Sequence, residues 1–100
     1  MEATKNLIQG ICDVTFSGRF TFSDHSKFRA ILAQFSEKNV NQVIFHMAGL
    51  EFVDSAALGM LLLALDESEK HNKLLVITGA TGQVKKMFEV ARFDSLFMMN

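Results

Sequence analysis

Residues 50–65, which read LEFVDSAALGMLLLAL, decide the fold of this chain. Asp54 and Ser55 place an acid and a hydroxyl between an apolar strand-like segment and a run with no charged residue before Asp66. Asp and Ser are preferred at the first position of a helix, where the side chain accepts backbone N–H bonds worth about 1 kcal/mol. The pattern therefore predicts that Asp54 or Ser55 caps a helix that runs to about His71.

Two strands and a helix are predicted before this segment. Residues 11–18 (ICDVTFSG) alternate apolar and polar, which is typical of a half-buried strand. Residues 2–8 precede that strand across Gln9-Gly10, so we expect them to pair with it as a hairpin. In residues 23–38, apolar positions recur with helical spacing, and Ser23 or Asp24 is available as N-cap. The apolar positions of this predicted helix are Phe28, Ile31, Leu32 and Phe35.

The two remaining strand segments are nearly continuous apolar runs, QVIFHM (42–47) and LLVIT (74–78). Strands of this kind are usually buried on both faces, as in parallel sheets covered by helices. After Thr78 the sequence GATG (79–82) breaks the chain, a helix follows, and FDSLFM (93–98) is a possible last strand. The order β-β-α-β-α-β-α(-β) predicts one α/β domain, residues 1–100, with a mixed, mostly parallel sheet of four to five strands.

Composition excludes several classes of function. The chain has 49% hydrophobic and 21% charged residues and a net charge of −1, so it can form a core but offers no basic stripe for nucleic acid. One cysteine, Cys12, permits no internal disulfide and indicates a reducing compartment. The N-terminal residues do not resemble a signal peptide, and the longest apolar run is about half of the ~20 residues that span a bilayer. We expect a cytoplasmic protein without membrane insertion.

No pattern of catalytic or metal-ligating residues stands out. His25, His46 and His71 lie in three different predicted elements and show no ligand spacing. Ser55 lacks the G-x-S-x-G elbow of a hydrolase, and GATG lacks the motifs of a phosphate-binding loop, so a turn is the better interpretation. We predict no enzymatic activity, no metal and no cofactor.

Ser55 remains the residue to explain. If Asp54 is the cap, Ser55 begins the helix, where a phosphate would meet free N–H groups and the positive end of the dipole. No Lys or Arg occurs between Asn39 and Glu69, so a phosphate carrying about −1.5 to −2 charges would have no basic neighbour in sequence. Its charge would act mainly on a protein docked there, which suits a modification that blocks an interface.

These segments together resemble one known family. GLEFVDSAALGMLLLAL between the QVIFHM and KLLVIT strands is similar to the signature of STAS domains, the sulphate-transporter and anti-sigma-factor-antagonist family. VTFSGRFTFSDHSKF and TGQVKKMFEVARFDSLF extend the resemblance over essentially the whole chain. A stand-alone domain of this size is most similar to bacterial anti-sigma factor antagonists.

The resemblance implies a partner switch without catalysis in this chain. Ser55 would be phosphorylated by an anti-sigma factor that is also a serine kinase, and this would end binding. A PP2C-type phosphatase would restore binding to that partner and so free the sigma factor. The resemblance also implies a partner-contact face made of Phe22, Ser23, Asp24, Asp54, Ala56, Ala57 and Met60.

The sequence departs from the family pattern at two places. The family commonly has D-S-S-G or D-S-T-G, whereas Ala56 and Ala57 follow Ser55 here, which leaves Ser55 as the only acceptor in the motif. Thr21 stands where the family often has an acid, with Asp24 three residues on. The alternative function is an accessory subunit of a membrane transport ATPase, in which the Ser55 region would be a docking surface.

Overall fold

The computed structural model describes residues 1–99, and its elements follow the predicted order. Three short 3-10 turns accompany the regular elements, at Phe22–Asp24, Ala33–Ser36 and Phe93–Ser95. The strands and helices are β1 (Glu2–Ile8), β2 (Ile11–Phe20), α1 (His25–Leu32), β3 (Gln42–Val53), α2 (Ser55–Lys70), β4 (Leu74–Thr78), α3 (Gly82–Val90) and β5 (Met98–Met99).

The five strands form one sheet in the spatial order β1-β2-β3-β4-β5. β1 pairs with β2 antiparallel, and the other three pairs are parallel. The predicted mixed, mostly parallel α/β sheet is therefore confirmed, and so is the hairpin. A short last strand is also present, but it lies at Met98–Met99, because residues 93–95 of the predicted segment form a 3-10 turn. Each crossover moves one strand further in the same direction, and right-handed crossovers of this kind place all the connecting helices on one face of the sheet.

The core lies between that face and the helices. Alternate residues of β2 and β3, beginning at Cys12 and Val43, are fully buried there. Phenylalanines fill much of the volume: the rings of Phe16 and Phe45 meet edge to face at 5.2 Å, and Phe28 of α1 stacks on Phe16 at 6.3 Å. Burial of these rings is the main source of stability, because aromatic side chains each remove 150–250 Å² from water.

The expectation that the parallel strands are buried on both faces is wrong for β3. Its residues 42–47 alternate half-buried and buried, and only Leu75, Val76 and Ile77 of β4 form a continuous buried run. The reason is topological, because every crossover packs against the same face. Apolar residues on the second face of β3, such as Ile44, therefore remain partly exposed.

The first helix is shorter than its sequence pattern. α1 ends at Leu32, and the chain continues as the turn Ala33–Ser36. Phe35 lies in that turn but is still fully buried, since its ring meets Phe45 at 6.4 Å. Helical spacing thus predicted the buried positions Phe28, Ile31 and Phe35 even where the helix had already ended, whereas Leu32 is only half-buried.

β3 is long because a β-bulge shifts its register with β2 and allows the strand to continue. Its register with β2 shifts between Thr15 and Ser17, where Gly49 lies against the partner strand. A Cβ atom on Gly49 would come 2.6 Å from the carbonyl oxygen of Phe16, which no real side chain tolerates. Gly49 therefore allows β3 to continue to Val53 and to deliver Asp54 at the edge of the sheet.

The longest helix is α2, with 16 residues. Among residues 1–99, no helix is both long and apolar enough to cross a membrane.

Replacing Gly49 by alanine should lower the free energy of unfolding by about 1–3 kcal/mol, because the new methyl group overlaps the backbone of β2. Gly59→Ala is the matched control. Gly59 is exposed in α2 with nothing within 4 Å of an added Cβ, so alanine there should stabilise the protein by about 0.5–1 kcal/mol. Urea unfolding measures both values, and equal effects of the two substitutions would contradict this account of the bulge.

Candidate functional site

Three loops meet at one edge of the sheet. β2, β3 and β4 are parallel, so the segments that follow them lie at the same end. In open α/β sheets, binding sites form outside the carboxyl ends of the strands. Here that edge carries the turn Phe22–Asp24, the pair Asp54-Ser55 and the loop 79–81.

The carboxylate of Asp54 joins two of these loops. Its Oδ1 accepts a hydrogen bond from the Ala57 backbone N–H at 2.8 Å, and its Oδ2 accepts one from the Phe22 N–H at 3.1 Å. The Asp54 backbone N–H also donates to the carbonyl oxygen of Phe20 at 3.3 Å. The predicted capping role of Asp54 is confirmed, and the same side chain also fixes the turn at Phe22 relative to α2.

Gln83 of α3 holds the residue just before this cap. Its Oε1 accepts from the Val53 N–H at 3.0 Å, and its Nε2 donates to the Val53 carbonyl at 2.9 Å. β4 pairs with β3 only as far as His46 and Thr78, so the amide of Gln83 stands where a neighbouring strand would otherwise pair with Val53. Val53 and Asp54 are thereby fixed from β2 on one side and from α3 on the other.

Ser55 is the first residue of α2, and it is exposed. Behind it, the solvent side of α2 carries Gly59, Leu62 (41% exposed) and Leu63 (49% exposed), with no charge before Asp66. Phe22, on the turn that Asp54 fixes, is 70% exposed. The serine hydroxyl thus lies on a side of α2 whose own residues are uncharged before Asp66, and Leu63 there also lines a groove with Arg29 of α1. We call the residues Phe22, Ser55, Ala56, Gly59, Leu62 and Leu63 the Ser55 surface.

The predicted contact residues divide into two groups. Phe22 and Ser23 are exposed, and Asp54 and Ala56 are half-buried, as a contact role requires. Ala57 (0% exposed) and Met60 (5%) face the sheet as part of the core, so the prediction that they touch a partner directly disagrees with their burial. Their role is to seat α2. The exposed residues on the solvent side of α2 are instead Gly59, Leu62 and Leu63, which the sequence analysis did not name as contact residues.

Asp24 is also buried, at 7% exposure. Its Oδ1 lies 3.3 Å from the N-terminal ammonium of Met1, and its Oδ2 accepts the Thr21 N–H at 2.9 Å. Asp24 occupies the N-cap position of α1, as predicted, but its side chain makes no capping hydrogen bond to that helix. The carboxylate shapes the turn from within and is not available for a partner.

A basic residue lies nearer to the site than the sequence suggested. The guanidinium carbon of Arg19 is 4.2 Å from the ring centroid of Phe52, two residues before Asp54. β2 and β3 bring these two residues into register although they are 33 positions apart in the chain. Such an exposed cation–π contact contributes about 0.5–1 kcal/mol and holds a positive charge at this end of the sheet.

Among residues 1–99, the other reactive groups do not form a second site. Burial raises the pKa of the Cys12 thiol, which keeps it protonated and unreactive at neutral pH. In the described part of the chain, no three His, Cys, Asp or Glu side chains are placed to hold a metal ion. His46 pairs with Asp13 at 2.6 Å, and His71 pairs with Glu67 at 3.2 Å.

The chain belongs to the STAS domain family, whose family model matches residues 2–100. It is 28% identical over 87 residues to a STAS-domain containing protein of Pseudomonas aeruginosa (strain UCBPP-PA14), covering 87% of this chain and 85% of that protein. It is 25% identical over 97 residues to BtrV of Bordetella bronchiseptica, named as a candidate anti-sigma factor antagonist, covering 97% and 84% of the two chains.

The fold is that of the anti-sigma factor antagonist SpoIIAA. The structure of its unphosphorylated form superimposes with a TM-score of 0.79 at 18% identity, over 99% of this chain and 87% of SpoIIAA. The phosphorylated form of SpoIIAA from Bacillus gives a TM-score of 0.76 at 16% identity, over 99% and 91% of the two chains.

Asp54→Ala removes both acceptor bonds and should lower the free energy of unfolding by about 1–2 kcal/mol. The amide protons of Phe22 and Ala57 should exchange faster with solvent, which hydrogen exchange followed by NMR measures. Asp54→Asn keeps one acceptor oxygen, so we expect only one of the two amides to lose its protection. Asp66→Ala, an exposed acid on the same helix, should change neither. Unchanged exchange at Phe22 in Asp54→Ala would contradict the proposed tie between the two loops.

Proposed function

We propose that this chain is an anti-sigma factor antagonist controlled by phosphorylation of Ser55. In this proposal it binds an anti-sigma factor with serine kinase activity through the Ser55 surface, and that binding releases a sigma factor. The partner phosphorylates Ser55, binding ends, and a PP2C-type phosphatase resets the switch, all in the cytoplasm. The observation that carries the proposal is the exposed hydroxyl of Ser55 at the start of α2, on a side of that helix without charged residues before Asp66.

The fold can accept a phosphate at this position. The first N–H groups of α2 and the positive end of its dipole lie beside Ser55, and both favour an anion. Only the N–H of Ala57 is already used by the side chain of Asp54. Phosphorylation is therefore compatible with an intact α2, and we expect its main effect outside the chain.

The same phosphate would oppose binding by a partner. A partner seated on Phe22, Leu62 and Leu63 would have to remove water from a group carrying about −1.5 to −2 charges. The carboxylate of Asp54, next to it, adds repulsion and is already occupied by two backbone donors. Arg19 lies on the neighbouring strand, but its guanidinium is stacked on Phe52. These features favour a phosphate that blocks docking.

The relatives support this role in preference to a transporter subunit. BtrV is named for antagonism of an anti-sigma factor, and SpoIIAA has structures in unphosphorylated and phosphorylated forms. Neither of the two sequence relatives described above is named for transport. The transporter alternative therefore has less support, although the Ser55 surface would be a docking surface in both cases.

Phosphate transfer tests the switch directly. With ATP and its histidine-kinase-like ATPase partner, the chain should gain one phosphate, and mass spectrometry should place it on Ser55. Ser55→Ala should accept none and should still bind the partner, whereas Ser55→Asp should bind at least about tenfold more weakly because it places a charge on the docking surface. Ser26→Asp is the matched control, an exposed serine near the start of α1.

Equal partner binding by the Ser55→Ala, Ser55→Asp and Ser26→Asp proteins would refute the switch. Phosphate found elsewhere in the chain, with Ser55 unmodified, would refute it as well.

Phe22 should be an anchor of the interface. It is a large exposed ring on a turn held by Asp54, and aromatic side chains on rigid supports often dominate binding. Phe22→Ala should weaken partner binding by about tenfold or more, measured by isothermal titration calorimetry. Val90→Ala, which removes an equally exposed apolar side chain (75%) from α3, should leave affinity unchanged. Equal effects of the two substitutions would place the interface elsewhere.

A further inference from the structure

The GATG sequence lies in the loop that leads from β4 to Gln83. Gly79 has φ +82°, in the left-handed region that favours glycine, and a Cβ atom there would lie 3.2 Å from the backbone nitrogen of Ala48 on β3. The chain after β4 therefore passes close to β3, and α3 begins beside the end of that strand. Gln83, the second residue of α3, reaches Val53 from there.

Gln83 binds Val53 with both ends of its amide. Val53 is fully buried and lies beyond the last pair of β3 with β4, which joins His46 and Thr78. The planar amide of glutamine offers an acceptor oxygen and a donor nitrogen side by side, which matches the N–H and carbonyl groups of one extended residue. A glutamate of the same size, when ionised, offers acceptors only. The contact therefore requires an amide.

The peptide group between Val53 and Asp54 is held from two sides. Its carbonyl oxygen accepts a hydrogen bond from Gln83 Nε2 at 2.9 Å, and its N–H donates to the carbonyl oxygen of Phe20 on β2 at 3.3 Å. A peptide group is planar, so these two bonds fix the orientation of the whole unit. Only the two backbone dihedral angles of Asp54 separate this unit from Ser55, and the Asp54 side chain is itself held as the cap of α2.

We infer that Gln83 is a positioning residue for the phosphorylation of Ser55. By fixing the peptide group before the cap, it sets where α2 begins and therefore where the Ser55 hydroxyl lies when a kinase approaches. Phosphate transfer requires the attacking oxygen to be nearly in line with the leaving group, and a displacement of about 1 Å can lower the rate about a hundredfold. This inference rests on the proposed function, because it concerns how fast Ser55 is phosphorylated.

The side of α3 that packs on the sheet is apolar apart from Gln83. Val84 and Phe88 belong to the core, and Met87 is half-buried against it. An apolar residue in place of Gln83 would leave the N–H and carbonyl groups of Val53 buried without these partners, which is unfavourable. α3 therefore contributes a hydrogen-bonding residue, and not only apolar packing, at the point where it meets the end of β3.

Steady-state phosphorylation of the full chain tests the inference. With ATP and the histidine-kinase-like ATPase partner, Gln83→Ala and Gln83→Glu should each lower kcat for phosphate transfer to Ser55 by about tenfold or more, with KM nearly unchanged. Gln83→Glu is the sharper variant, since it keeps the size of the side chain but places a carboxylate oxygen against the Val53 carbonyl. Met87→Ala is the matched control, because it removes apolar packing from the same side of α3 and should leave kcat unchanged.

Hydrogen exchange followed by NMR measures the two bonds of Gln83 without a partner. Gln83→Ala should make the amide protons of Val53 and Asp54 exchange about tenfold faster or more, because the peptide groups on both sides of Val53 lose a hydrogen bond. Met87→Ala should not change the exchange of these two amides relative to the rest of the sheet. Circular dichroism should show that all three variants are folded at the assay temperature, and Gln83→Glu keeps the test valid if Gln83→Ala does not fold.

An unchanged kcat in the folded Gln83 variants, while Ser55 of the unaltered chain is phosphorylated, would overturn this inference alone. So would an equal loss of kcat in Met87→Ala, since the effect would then follow stability, or a rise in KM with kcat unchanged, which would make Gln83 part of docking. Unchanged exchange at Val53 and Asp54 in Gln83→Ala would overturn it as well. Absence of phosphate on Ser55 in the unaltered chain would instead refute the proposed function, and this inference with it.

Discussion

The carboxylate of Asp54 is the interaction on which the architecture of the site depends. It caps α2 through Ala57 and fixes the turn at Phe22, so two loops that follow different strands share one rigid support. This arrangement also fixes the position of Ser55, because the residue after the cap is the first residue of the helix. The backbone that carries Phe22 and the start of α2 are thereby fixed relative to each other, which lowers the ordering cost of any contact made there.

The one-sided sheet determines how the chain presents its surfaces. Because every crossover passes over the same face, the helices form one surface of the molecule and the bare strands form another. The proposed switch lies on the helical side at the strand edge.

Much of the fold could be predicted from the sequence because its signals are local. Alternation marked β2, helical spacing marked the buried side of α1 even beyond its end at Leu32, and the Asp54-Ser55 pair marked the start of α2. The side of each strand that faces solvent is set by the direction of the crossovers, which no single segment encodes, so Ile44 was expected to be buried. Likewise, Ala57 and Met60 lie close to Ser55 along α2, but their side chains are on the buried side of the helix and do not reach solvent.

The contacts made across the chain were beyond reach of local patterns. Arg19 and Phe52, or Gln83 and Val53, meet only after the sheet has formed. The sequence did contain one sign of Gln83. It lies four positions before Met87, on the otherwise apolar side of α3, where a helix that only packs against the sheet would have another apolar residue. The sequence was misleading for Asp24. An acid in a polar loop is expected to be free for binding, but the Asp24 carboxylate is bound by the N-terminus and by the Thr21 N–H.

The amide of Gln83 has a further consequence for the edge of β3. β3 extends beyond the end of its pairing with β4, and an unpaired strand segment of this kind is a template on which a foreign strand can add. By occupying both the N–H and the carbonyl of Val53, one side chain closes that template beside Ser55. The segment next to the serine is thereby protected from strand addition, and a partner in the proposed switch would have to reach Ser55 through side chains and the helix.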